Sequence, residues 1–108
     1  MTELTVHDRD DLVLDELRAH GDKGAIPRPV FVWIYGARDD LEMAAERMGG
    51  GNWLLELEEQ DEEWVLRTER EQMATREAIH SMSEKILAAL VGTDAFYDGW
   101  ETSVERGH

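Results

Sequence analysis

The side chains best suited to bind a metal or move a proton near neutral pH are the four histidines, His7, His20, His80 and His108. They show no metal-ligand spacing. His7 and His108 lie towards the ends of the chain, and His20 and His80 read as exposed helix positions, so no metal is expected. Carboxylate pairs such as Glu56 with Glu58 follow from composition alone, and no isolated buried acid marks general acid or base work. Serine, histidine and acid form a set only in the sense that all three types occur. Cysteine is absent, which removes thiol nucleophiles and thiolate zinc sites. Gly49, Gly50 and Gly51 lack the Lys and Ser or Thr of a phosphate loop and read as a helix stop. The residues therefore predict no catalytic centre and no cofactor.

Two features point to binding instead. Six of the eight residues from Glu56 to Glu63 are acidic: Glu56, Glu58, Glu59, Asp61, Glu62 and Glu63. That density would hold an Arg-rich peptide through charge-assisted contacts and long-range attraction, the simpler reading being a solvated loop. The second feature is the file Phe31, Trp33 and Tyr35, which alternates with Val30, Val32 and Ile34. Small Ala44 and Ala45 let the next helix approach closely, so the aliphatic file is expected to face the helices and the aromatic file the open side. The alternative is that the first helix or the Pro27 and Pro29 connector covers the rings.

Charge narrows the class of partner. Twenty-five Asp and Glu against 11 Lys and Arg give a formal charge of -14, and the cations are scattered. Nucleic-acid binding draws on phosphate neutralisation by Lys and Arg, so broad contact with DNA, RNA or an anionic membrane is not expected. The 108 residues suit one domain, with 42% hydrophobic residues and four Trp to build its core. The first residues carry neither a basic region nor an apolar one, and the longest apolar run is Val30 to Tyr35. The expectation is a cytoplasmic protein.

The elements follow from the hydrophobic period. A first helix is predicted over Asp8 to His20, stopped by Gly21, with a connector from Asp22 to Pro29. Val30 to Tyr35, apolar on both faces, reads as a central strand. Asp39 with Glu42 offers a capping box for a helix whose stripe is Leu41, Ala44, Ala45 and Met48. Asn52 to Glu58 and Glu63 to Glu69 alternate as a hairpin about a loop of Glu59 to Glu62. Placing Glu58 opposite Glu63 sets Leu57 against Trp64, Leu55 against Leu66 and Trp53 against Thr68. A helix from Thr75 to Val91 carries Ile79, Met82, Ile86 and Leu90, with Gly92 as its cap, and an edge strand from Tyr97 to Glu105 closes the chain.

The order βαββαβ after an extra N-terminal helix predicts an α+β, ferredoxin-like two-layer sandwich: residues 1–29 as helix and connector, 30–105 as the core of a single domain over 1–108. Its four-stranded antiparallel sheet would have one free face. RNA recognition by that face is disfavoured, because no segment matches the basic, Gly-containing stacking pattern and Glu56, Glu58, Glu101 and Glu105 would repel phosphate. A protein partner fits better. The rival readings are a dimeric α+β barrel enzyme or small-ligand protein with a pocket between paired sheets, and a homodimer whose sheets bury one another.

Gly21-Asp22, Pro27-Arg28-Pro29-Val30 and Trp33-Ile34-Tyr35, together with the terminal Tyr97-Asp98-Gly99-Trp100-Glu101, resemble the RraB family, regulators of ribonuclease E activity, over nearly the whole chain. The chain departs from the family's usual pattern at Phe31, Val32 and Gly36. The resemblance implies a ferredoxin-like domain that inhibits an RNase E-type endoribonuclease by protein contact, without touching RNA and without catalytic residues. The basic scaffold region of such a nuclease is the partner it implies. Within the terminal segment, Trp100 is expected to enter the sheet–helix layer with Trp53 and Trp64, Gly99 to allow a bend or bulge, and Asp98 to accept from nearby amides.

Overall fold

Alternation of apolar side chains at period 2, and of apolar stripes at three and four residues, lays down seven elements in a computed structural model that describes residues 5–107. In chain order they are α1 (Val6–Ala19), β1 (Arg28–Gly36), α2 (Arg38–Met48), β2 (Leu54–Gln60), β3 (Glu63–Gln72), α3 (Arg76–Ala89) and β4 (Phe96–Thr102). The strands form one antiparallel sheet in the order β2-β3-β1-β4. This is the ferredoxin-like α+β sandwich with an added N-terminal helix, and β1 is interior as its two-sided apolarity requires.

α1 begins earlier than its apolar stripe indicates, because Thr5 and Asp8 close a reciprocal capping box: each side chain bonds the other residue's amide at 3.0 Å. It ends on Gly21, whose φ of 87° allows the Asp22 amide to donate to the Leu17 carbonyl at 3.0 Å and the Gly21 amide to the Arg18 carbonyl at 3.0 Å. α2 corrects the expected cap. Its N-cap is Ala37, without a side-chain bond, and Glu42 pairs with Arg38 at 2.8 Å. Asp39 and Asp40 sit in the first turn, where they still favour the helix dipole.

The β2–β3 hairpin also differs from expectation. Gln60 pairs with Glu63, so Leu57 faces Leu66, Leu55 faces Thr68 and Glu58 faces Val65, two residues out from the predicted register. The turn is Asp61-Glu62, with φ of 47° and 71°, and the two strands extend almost to its tip. A two-residue turn with both residues left-handed matches the natural strand twist, and it prevails over the looser four-residue loop. A shift of two preserves every facing, so the core side of the hairpin is as the alternation predicts.

Val30, Val32 and Ile34 are fully buried and share a core with Leu14 and Leu17 of α1, Leu41 and Ala44 of α2, Leu66 of β3, and Ile79, Met82 and Ile86 of α3. All three helices therefore lie on the same side of the sheet. α1 packs on α3 and leaves the other face free. On β4, Trp100 enters the core as expected, beside β1; Trp53 and Trp64 pack against the same helix-side core, at its β2–β3 end, each beneath an arginine: Arg70 at 4.2 Å and Arg38 at 5.2 Å from the ring centroids. Gly99, at φ 99°, stands where the β1–β4 register shifts. The amides before β4 are accepted by Asp40 and Thr93, not by Asp98, which is exposed. Buried Tyr97 bonds Ser83 at 3.1 Å, and burial pushes its phenol above the ordinary range.

Candidate functional site

The uncovered face is composed by strand pairing. One cross-strand row runs Leu54, Glu69, Phe31, Glu101; the next runs Glu56, Arg67, Trp33; the third runs Glu58, Val65, Tyr35, Phe96. The aromatic file thus runs down the middle of the face, with carboxylates on either side. Phe31, Trp33 and Tyr35 are half-buried and stand outside the helix-side core, which bears out the expected facing and removes the alternative in which α1 roofs them. Phe31 and Trp33 lie 6.2 Å apart, centroid to centroid. Leu54 at 70% and Phe96 at 55% exposure extend apolar surface to opposite edges. A cleft of about 330 Å³ lies among Phe31, Trp33, Leu54, Glu56, Arg67 and Glu69.

The acidic residues of the hairpin do not act as one group. Glu56, Glu58 and Glu63 share the open face with the aromatics; Glu59 pairs with Trp64 and points to the helix side; Asp61 and Glu62 form the turn. Arg67 interrupts the acidity, and Glu58 neutralises it at 3.3 Å. Glu56, Glu69 and Glu101 have no ion-pair partner among the described residues. The face combines a half-exposed aromatic strip with uncompensated negative charge, an arrangement suited to a cationic, partly apolar segment.

A second cleft, about 480 Å³, lies between α2 and α3 and is lined by Arg47, Met48, Trp53, Arg70 and Lys85. Its arginines are engaged: Arg47 bonds the carbonyls that end α3, Ala89 at 3.0 Å and Val91 at 2.5 Å, and Arg70 bonds Gly51 at 2.9 Å and Gln72 at 2.6 Å.

His20 is exposed, as expected, and His108 lies outside the described residues; His7 and His80 depart from the sequence reading. His80 is not free in solvent: it bonds Asp11 at 2.8 Å and its ring stacks on His7 at 4.1 Å. One ligand atom from each of His7, Asp10 and His80 lies within 4.8 Å of the others. Two of its three residues are neighbours along the chain, since His7 and Asp10 are three residues apart on α1; the meeting with His80 depends on helix packing. No described helix is long and apolar enough to cross a membrane.

Compared with known proteins, residues 7–102 match a family model described as Regulator of ribonuclease activity B, RraB. That span runs from the first turn of α1 to the end of β4 and contains the whole sheet. No curated protein matches the chain.

Proposed function

Since the chain belongs to the RraB family, named for regulation of ribonuclease activity, we propose that it is a non-catalytic cytoplasmic regulator that binds the basic scaffold region of an RNase E-type endoribonuclease. The contact residues are Phe31, Trp33 and Tyr35 with Glu56, Glu58 and Glu63 on the open face, and Glu59, Asp61 and Glu62 at the hairpin tip. The observation that carries this reading is the strand pairing, which sets the aromatic file between Glu56 and Glu69 on one side and Glu101 on the other, three carboxylates without an ion-pair partner among the described residues. Arginine supplies both what those carboxylates pair with and what those rings stack against. RNA is repelled by the same charge. The chain acts as one domain, and the regulation needs no reactive centre and no cofactor at the contact face.

The test is a cleavage assay with purified chain and an RNase E-type endoribonuclease, intact and lacking its Arg-rich scaffold segment. Inhibition of the intact enzyme and its loss on truncation support the reading. Equal inhibition of both forms, or retention of the substrate RNA by the chain, contradicts it.

The cleft among Phe31, Trp33 and Leu54 favours a second reading, in which two copies pair their sheets around a small ligand. Pairing would bring Glu56, Glu69 and Glu101 of both copies together without cations between them, which opposes it. A monomeric mass by light scattering removes this reading.

A further inference from the structure

We propose that His7, Asp10 and His80 form a binding site for a divalent transition cation of the zinc type, joining α1 to α3. The donor set is two imidazoles and one carboxylate, whose ligand atoms lie within 4.8 Å of one another. Three protein ligands leave a fourth position for water, as in open zinc sites. At Zn–N distances of about 2.0 to 2.1 Å, the edge of a tetrahedral site is roughly 3.3 Å. The His7 Nδ1 to Asp10 Oδ2 separation is 3.7 Å and the widest separation in the set is no more than 4.8 Å, so the site closes when the two stacked imidazoles rotate to aim their ring nitrogens at one point.

Two further observations point to a cation. His7 Nδ1 and Asp10 Oδ2 are both buried, and neither has a hydrogen-bond partner. Asp10 is only 2% exposed. A lone pair and a carboxylate oxygen facing each other out of water are costly unless something positive lies between them. Each of the three residues is also held by a partner outside the cluster. Glu84 takes His7 Nε2 at 3.1 Å, Asp11 takes His80 Nε2 at 2.8 Å, and Trp100 Nε1 donates to Asp10 Oδ1 at 2.9 Å. An imidazole whose Nε2–H is given to a carboxylate presents an unprotonated Nδ1, the form that ligates, and such outer partners are the usual support of metal-bound histidine. Asp10, Asp11 and Glu84 outweigh Arg76, which is itself spent on Asp11 and Asp15.

Imidazole ligands select zinc, copper or nickel over magnesium and calcium, and zinc is the probe of choice. Because Asp10 also bonds Trp100, the ion would tie the added helix to both α3 and β4.

The experiment uses the full chain, stripped with chelator and titrated calorimetrically with zinc, and with cobalt read by its visible ligand-field absorption. One equivalent should bind, with nitrogen-ligated tetrahedral cobalt bands and a higher melting temperature in zinc. His80→Gln and His7→Gln should each weaken binding at least 100-fold. Asp10→Asn, which keeps an oxygen for Trp100, should weaken it at least 10-fold. Glu46→Gln, an exposed position on α2 away from the cluster, should leave it unchanged. Thermal melts in chelator show whether each variant is folded. Absence of one-to-one binding, or binding indifferent to both histidine substitutions, overturns the proposal, the latter assigning the ion to surface carboxylates or leaving a shared proton as the bridge.

Discussion

Arg28 Nη1 meets Asp22 Oδ1 at 2.9 Å, with both side chains fully out of solvent. The pair sits in a complete set of bonds. Arg28 also donates to the carbonyls of Ile26 at 2.7 Å and Lys23 at 2.8 Å, while Asp22 accepts from Arg18 at 2.8 Å and from the Glu105 amide at 2.8 Å. Two residues of the Gly21-Asp22 and Pro27-Arg28-Pro29-Val30 segments therefore join the end of α1, the start of β1 and the chain after β4. Asp22→Asn, which leaves the Arg28 charge unpaired, should cost about 3 to 5 kcal/mol in urea unfolding at neutral pH.

The same carboxylate makes stability pH-dependent. Burial opposes its ionisation, but the Glu105 amide, Arg28 and Arg18 together outweigh burial and hold its pKa below the ordinary 3.8. A lowered folded pKa gives stability that is complete above the unfolded value and disappears as pH falls through the folded one. From about pH 4 downward the wild type should lose stability more steeply than Asp22→Asn, as followed by urea midpoints across an acid series.

Trp100 and Trp33 should separate stability from binding. Trp100 is 8% exposed and bonds Asp10, so Trp100→Ala should cost about 3 to 5 kcal/mol. Trp33 is half-buried on the free face, and Trp33→Ala should cost roughly 1 kcal/mol while abolishing most partner affinity. Equal destabilisation of the two variants would show that the face is structural.

The hairpin turn holds removable strain. Glu62 adopts φ 71°, which costs a side-chain-bearing residue about 1 to 2 kcal/mol. Glu62→Gly should therefore stabilise the fold by roughly 0.5 to 1 kcal/mol after the added entropy of the unfolded chain. Glu62→Gln, which removes the charge but keeps the side chain, should stabilise it by less in the same thermal melts.

Much of the fold was legible because period and facing are read directly from side chains. Val30, Val32 and Ile34 could serve only an inner strand, and Ile79, Met82 and Ile86 only a buried helix stripe. Register was not legible: a slip of two leaves every facing intact, and Asp61-Glu62 lacks the Asn-Gly signature that would have marked a tight turn. The open face was anticipated from Phe31, Trp33 and Tyr35. The distribution of the hairpin acids was not, since Glu59 turns to the other side only in the true pairing, which continues to Gln60. Asp10 was invisible for a different reason. An aspartate on a helix reads as solvated, and its burial follows from a Trp100 indole at the far end of the chain.

The central claim is that the free sheet face grips a basic polypeptide. It is tested most directly by the affinity of the intact chain for the isolated Arg-rich segment of an RNase E-type endoribonuclease, at low and high salt, with wild type, Trp33→Ala and Glu56→Gln/Glu58→Gln compared. Saturable binding that weakens at least 10-fold with salt and with either substitution is the predicted result. Binding that is indifferent to both substitutions, or no binding at low salt, would contradict it.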